Sequence, residues 1–319
     1  MEPTPTCNGD LVTAIHDRTN SDVLIGCAAQ ALATSLRKED KSLQTDRVTV
    51  DQVRECLERS GYLLESRLVR SLTSHGYFVE PNQVVRDPRT GKAREIDLIA
   101  EYYHYNRDRQ KVAVKTYFVV EAINNRFPFV LLTERPYTPS ADFENYIKLA
   151  CTPEPNPFID KFDIYEDKGA DWENLFSQYC VITTKRGDKE LMATHPDDVY
   201  GSLLKLAEYV DNEVAVWANR DGSAHDQFWR MFFWQPMLVL SGQLLSAHFQ
   251  GDGTTELKET SIGRLEFNWH AEETNRTTVI EVVTEEFFLK HLDSIIGKDD
   301  ELEGRLHLLR QTLLNRQHD

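Results

Sequence analysis

SGYLLESRLVRSLTSHGYFVEPNQVVRDPRTGKAREIDLIAEYY, residues 60–103, changes its hydrophobic period part-way, and that change decides the fold. Before His75, apolar residues recur at three-to-four-residue steps. Val53, Leu57, Leu64, Leu68 and Leu72 fall on one stripe, with Cys56 and Leu63 beside it. This spacing predicts a helix over 50–75, with Gly61 as a candidate break and Gly76 as the stop. From Tyr77 the period drops to two, the signature of strands. Tyr77 to Val85 reads as a first strand, and Asp87-Pro88-Arg89-Thr90-Gly91-Lys92 as a turn. Glu95 to Tyr103 reads as a second strand and Lys111 to Asn124 as a third, ending in Tyr117-Phe118-Val119-Val120. The order is one helix followed by a three-stranded meander.

Three carboxylates stand out in this frame. Glu65 lies mid-helix, Asp97 is flanked by apolar residues in the second strand, and Glu121 closes the apolar run of the third. Taken singly, each reads equally well as a surface or ion-paired residue. Adjacent antiparallel strands, however, bring facing positions to about 5 Å at their Cα atoms. Asp97 and Glu121 can therefore lie side by side. Two carboxylates that close repel, and a divalent cation removes the repulsion. Hard oxygen donors suit Mg²⁺ or Mn²⁺.

Residues 60–103, followed by YFVVEAINNRFPFVLL (117–132), resemble the PD-(D/E)XK nucleases, the restriction-endonuclease-like superfamily. The resemblance covers roughly residues 51–132. It implies an α/β fold with a restriction-endonuclease-like core: helix, three-stranded meander, helix and strand in a mixed sheet. N-terminal helical and C-terminal α+β additions would surround it. It also implies that Asp97, Glu121 and the helix acid Glu65 hold Mg²⁺ or Mn²⁺, and that an activated water hydrolyses a phosphodiester, of DNA rather than RNA. Many relatives act in restriction, phage defence or repair.

The chain departs from the motif at one position. A lysine belongs two residues after the second acid, where this chain has Ile123. Three substitutes are open. Lys115 shares the strand face but lies about 20 Å along it. Asn125 could only hydrogen-bond a water. Lys205, on the helix that follows Pro196, is the better candidate, since such lysines can migrate to a neighbouring helix in this superfamily. Ile123 is expected to line the cleft. The loss of the motif ammonium is expected to raise at least one carboxyl pKa. The alternative function is a catalytically degenerate pseudo-nuclease, acting as a nucleic-acid-binding or protein-interaction module.

Composition sets outer limits. The 319 residues are 40 % hydrophobic and 28 % charged, enough for a core and too apolar for wholesale disorder. The net charge of −16 argues against a broad basic docking surface. Between Pro81 and Lys115, however, eight Lys/Arg face five Asp/Glu. Arg86, Arg89, Lys92 and Arg94 are expected to rim the cleft. Five cysteines at unrelated spacings, with no CxxC, argue against a disulfide framework and point to a cytoplasmic setting. No apolar run approaches a membrane span, and residues 1–10 show no secretory signal. A homodimer or protein partner stays open. The P-loop, GxGxxG, HExxH and GxSxG motifs are absent. His104, His195, His225 and His248 show no ligand spacing, and Trp229, Phe232, Phe233 and Trp234 read as core.

The expected organisation is an N-terminal helical segment and connector at 1–47 and a core at 48–250 with an insertion near 152–195. A C-terminal hairpin and helix at 251–319 would pack on that core. Further elements expected are a helix at 21–37, a short helix at 141–150, a strand at 179–184 and a helix at 196–216. A strand at 236–249, a hairpin over 264–283 and a helix at 285–315 complete the reading.

Overall fold

The computed structural model describes residues 47–86, 91–103, 109, 111–137, 146–152, 168, 172–184, 190–218, 228–271 and 274–316. Residues 1–54 and 55–319 form two compact units. The expected helix at 21–37 lies outside the described residues. Of the first unit, residues 47–54 are described and hold the start of α1 (Val50–Arg59). There the Gln52 N–H donates to Thr49 Oγ1 at 3.2 Å and the Thr49 N–H donates to Gln52 Oε1 at 2.8 Å. This reciprocal capping box satisfies two N–H groups that a helix start leaves without partners.

The second unit is α/β. It continues with α2 (Tyr62–Ser74), β1 (Phe78–Arg86), β2 (Ala93–Glu101), β3 (Val112–Ile123), β4 (Phe129–Pro136), β5 (Lys148–Thr152), β6 (Asn174–Thr184) and β7 (Leu191–Thr194). Then come α3 (Asp197–Ala218), β8 (Trp229–Leu240), β9 (Leu244–Phe249), β10 (Thr255–Glu259), β11 (Ile262–Ala271), β12 (Thr274–Thr284) and α4 (Glu285–Arg316). Twelve strands among the described residues form one mixed sheet. Ten follow the order β1-β2-β3-β8-β12-β11-β6-β4-β9-β10, while β5 pairs with β8 and β7 with β6.

Alternation along the central strands sends side chains to two cores. Val119, Leu238, Leu240, Ile280 and Val282 meet Leu203 and Leu206 of α3 on one face. Phe118, Val120, Met237, Val239 and Val283 meet Leu64, Leu68 and Leu72 of α2 and Phe288 and Leu292 of α4 on the other. Parallel pairs β3·β8 and β8·β12 need both faces covered, and these helices cover them.

Several elements differ from the sequence reading, each for a physical reason. The 50–75 helix is parted into two at Ser60–Gly61, where Gly61 is the candidate break. Residues 148–150, read as helical, belong to β5, where hydrogen bonding to Trp234 through Arg230 overrides local propensity. The Pro-containing stretch after Phe127 holds β4. The C-terminal hairpin, β11–β12, lies in the middle of the sheet beside β8 and β6. Pro236 sits inside β8, where it cannot donate to a ladder. It falls between the last β5 partner, Trp234, and the first β12 partner, Met237. The missing N–H thus coincides with the point where β8 changes neighbours.

Two asparagines fix the end of β3. Asn124 Nδ2 donates to the Glu58 and Ser60 carbonyls at 2.7 and 3.0 Å, tying β3 to the α1–α2 junction. Asn125 Oδ1 accepts from the Gly242 N–H at 2.8 Å. A Cβ on Gly242 would come within 2.2 Å of the Asn125 carbonyl oxygen. Gly242→Ala is therefore expected to destabilise the protein by about 1–3 kcal/mol. The readout is a lower urea midpoint at unchanged m-value. An unchanged midpoint would mean that the two turns are not in contact.

Candidate acidic site

Hydrogen-bonded pairing of β2 with β3 ends at Leu98–Val120. The next positions are Asp97 and Glu121, and there the side chains replace the ladder. The Asp97 N–H donates to Glu121 Oε1 at 3.3 Å, and the Ala122 N–H donates to Asp97 Oδ2 at 2.8 Å. Each carboxylate thus accepts from the opposite strand. On the other side of β2, Pro81 pairs with Leu98 and Gln83 with Ile96, leaving Asn82 opposite Asp97 with a φ of +52°. Such a left-handed residue costs about 1–3 kcal/mol, and Asn tolerates it better than most. The strand rotates here. Ile96 and Ile99, three apart, both enter the α3-side core, while Leu98 enters the other.

Glu65 enters from the first turn of α2. A Cβ on Gly61 would lie 3.3 Å from Glu65 Oε1 and 3.7 Å from the Ala122 carbonyl oxygen. A bare backbone at Gly61 therefore gives the helix start a close seat on the end of β3. Burial raises the Glu65 pKa and the Asp97 charge raises it further, while Lys205 opposes both. Burial also raises Asp97, against the Ala122 N–H and Lys205. Glu121 is 2 % exposed. Burial first, then the charge of Asp97, push its pKa up to about 7, against Lys205 and a Ser202 hydrogen bond.

Of the three candidate substitutes, Lys205 is the one in contact with the acids. Its Nζ lies 2.6 Å from Glu121 Oε2 and donates to the Glu95 carbonyl at 2.6 Å. Val199, Leu203, Leu206 and Val210 bury one stripe of α3. Ser202 and Lys205, three apart beside that stripe, both reach Glu121. The other two candidates are used elsewhere. Lys115 forms an ion pair with Glu101. Asn125 Nδ2 donates to the Phe127 and Gln243 carbonyls.

The structure therefore brings together the four residues singled out in the sequence: Glu65, Asp97, Glu121 and Lys205. Ile123 is half-buried and packs on the same α3-side core. The raised carboxyl pKa values have a cause other than the one expected, since burial raises them although an ammonium is present. The basic rim is thinner than expected. Arg94 binds Glu208 at 3.0 Å. Arg86 lies over Gly91, where a Cβ would meet its Nη2 at 3.4 Å. Arg89 lies outside the described residues. Ser202, which sequence reasoning missed, was marked only by its place one turn before Lys205. Trp234, Phe232 and Phe233 are core residues.

Among the described residues, no three His, Cys, Asp or Glu side chains are arranged as ligands around a common point. Glu121 already has an ammonium and a backbone N–H as partners. The donor set nevertheless fits a hard divalent cation. It is all carboxylate oxygen, crowded and desolvated, which is the situation a cation relieves. No helix among the described residues is long and apolar enough to cross a membrane. Comparison with protein-family models, curated proteins and solved structures gave no match.

The site has a defined pH signature. An acid whose folded pKa, about 7, exceeds its usual 4.5 holds its proton more tightly in the folded state. Its contribution to stability is greatest at and below about pH 4.5 and declines as pH rises to about 7. Replacing Lys205 with Met removes an opposing influence, so the Glu121 carboxyl is expected to titrate above 7 in Lys205→Met. Carboxyl ¹³C NMR titration reads this directly. An unmoved titration would mean that Lys205 does not bear on Glu121.

Proposed function

We propose that the chain is a metal-dependent nuclease of the PD-(D/E)XK type, hydrolysing DNA phosphodiester bonds. The observation that carries this reading is the Lys205 ammonium, 2.6 Å from Glu121 beside the Asp97 carboxylate. A cation there can take the role that Ile123 cannot. Asp97 and Glu121 would hold Mg²⁺ or Mn²⁺, with Glu65 in reach. Such an ion, when bound, lowers the pKa of a water and offsets the charge of a phosphodiester. Lys205 places positive charge where charge develops on the transferred phosphoryl group, an effect commonly worth about 10²–10³ in rate. Glu65, Asp97 and Glu121 exclude anions until that negative charge is neutralised. Substrate would thus be admitted only to the metal-loaded site.

The reading of a restriction-endonuclease-like core is supported by the succession α2, β1, β2, β3 and by the parallel pairing of β3 with β8, although β4 to β7 intervene before α3 and β8. The alternative, a non-cutting module that binds nucleic acid or a protein, is favoured by Ile123 and by the close Lys205–Glu121 pair, which a metal must loosen.

Plasmid DNA with Mn²⁺ separates the two. Cleavage is expected from the unaltered protein, none from Glu121→Ala, and about 10²–10³-fold less from Lys205→Met. Ile123→Lys added to Lys205→Met should restore cleavage, because Ile123 shares the Glu121 side of β3. An inert wild type that still binds DNA would favour the binding module.

A further inference from the structure

A second cluster lies on β4 and β9. Ser246 Oγ is 2.8 Å from His248 Nε2, and His248 Nδ1 is 2.6 Å from Glu134 Oε2. Ser246 and His248, two apart on β9, share a face. In the tautomer that carries its proton on Nδ1, facing the Glu134 carboxylate, Nε2 accepts from the serine hydroxyl. This is the nucleophile–base–orienter arrangement in which a hydroxyl is activated. The sequence shows no ligand spacing around His248, which reads there as an ordinary surface or core histidine. Its two partners are a serine two residues earlier and a glutamate more than a hundred residues away.

The placement of Glu134 depends on a strained neighbour. Thr133 has a φ of +59°, an outlier for a β-branched residue. β4 pairs with β6 on both sides of it, Leu132 with Gln178 and Glu134 with Phe176, while Thr133 and Ser177 drop out of the ladder. Leu131 and Phe176 both belong to the α3-side core. The ring of His248 stands edge-on to Phe176 at 6.0 Å. The left-handed turn thus rotates β4 so that Glu134 reaches the face of β9 that carries Ser246 and His248. Asn82 beside Asp97 is the other non-glycine left-handed residue among those described. On β10, Lys258 pairs directly with Ser246, so its side chain rises on the same face. Its Nζ is 3.1 Å from Glu256. His248 and Glu134 are about one-fifth exposed, while Ser246 is 5 % exposed, so the relay meets solvent through His248 and Glu134.

We infer that Ser246, His248 and Glu134 form a second reactive site, with Ser246 as a nucleophile toward carboxylic esters. In the first step the Ser246 Oγ–C bond forms as the hydroxyl proton passes to His248 Nε2. The ester C–O bond then breaks, and the leaving alkoxide takes that proton from His248. A water, deprotonated in the same way, attacks the acyl-Ser246 carbonyl. Its proton returns through His248 to Ser246 Oγ, and the carboxylic acid is released.

The test uses the full chain with a fluorophosphonate probe and with p-nitrophenyl acetate, followed by peptide mapping. A single adduct on Ser246 of the unaltered protein is expected. Ser246→Ala should remove it, and His248→Gln should slow its formation by about 10²-fold or more. Mapping the unaltered protein decides the matter even where a variant fails to fold. No adduct on Ser246, or labelling that His248→Gln leaves undiminished, would overturn the proposal and leave the three residues as a structural network.

Discussion

The parting of β2 and β3 after Leu98–Val120 is the constraint on which the acidic site depends. Beyond that pair the strands can no longer satisfy each other through the backbone, and two backbone N–H groups need acceptors. The carboxylates of Asp97 and Glu121 are those acceptors. The same hydrogen bonds hold the two acids close in a desolvated place, where their charges oppose each other. Lys205 is drawn in by that charge. An ammonium beside a buried acid pair offsets part of the repulsion and part of the cost of burial. Burial and the charge of Asp97 still push the Glu121 pKa up to about 7. The offset is therefore incomplete.

Backbone strain is placed with the same economy. The two non-glycine left-handed residues among those described, Asn82 and Thr133, each stand where a strand pair loses a rung. Each marks a local turn of a strand beside an acid, Asp97 on the strand paired with Asn82 and Glu134 next to Thr133. Strain of this kind persists only when surrounding packing over-determines it. Here the surrounding packing is the two-sided core formed on α2, α3 and α4.

The acid cluster was legible in the sequence because its elements are consecutive and strongly periodic. Leu64, Leu68 and Leu72 fixed the helix, and the alternation around Asp97 fixed the second strand. Lys205 could be nominated only because the third strand had an isoleucine where a lysine was wanted. That Lys205 reaches Glu121 depends on how α3 packs across β3, which local pattern does not encode. The central position of β11 and β12 was not legible either, since their partners β6 and β8 come earlier in the chain by tens of residues. Strand β5 was misread because Lys148–Thr152 is too short for periodicity to outweigh helical propensity. The Ser246–His248–Glu134 relay depends on a left-handed threonine, and a β-branched residue gives no warning of one.

The most direct measurement of the central claim is anomalous diffraction from crystals grown with Mn²⁺ near pH 8, where Glu121 is ionised. The account predicts a manganese peak within coordination distance of Asp97 and Glu121, with the Lys205 ammonium displaced from its present contact but still beside the site. A peak elsewhere, or none while Lys205 keeps its place on Glu121, would contradict it.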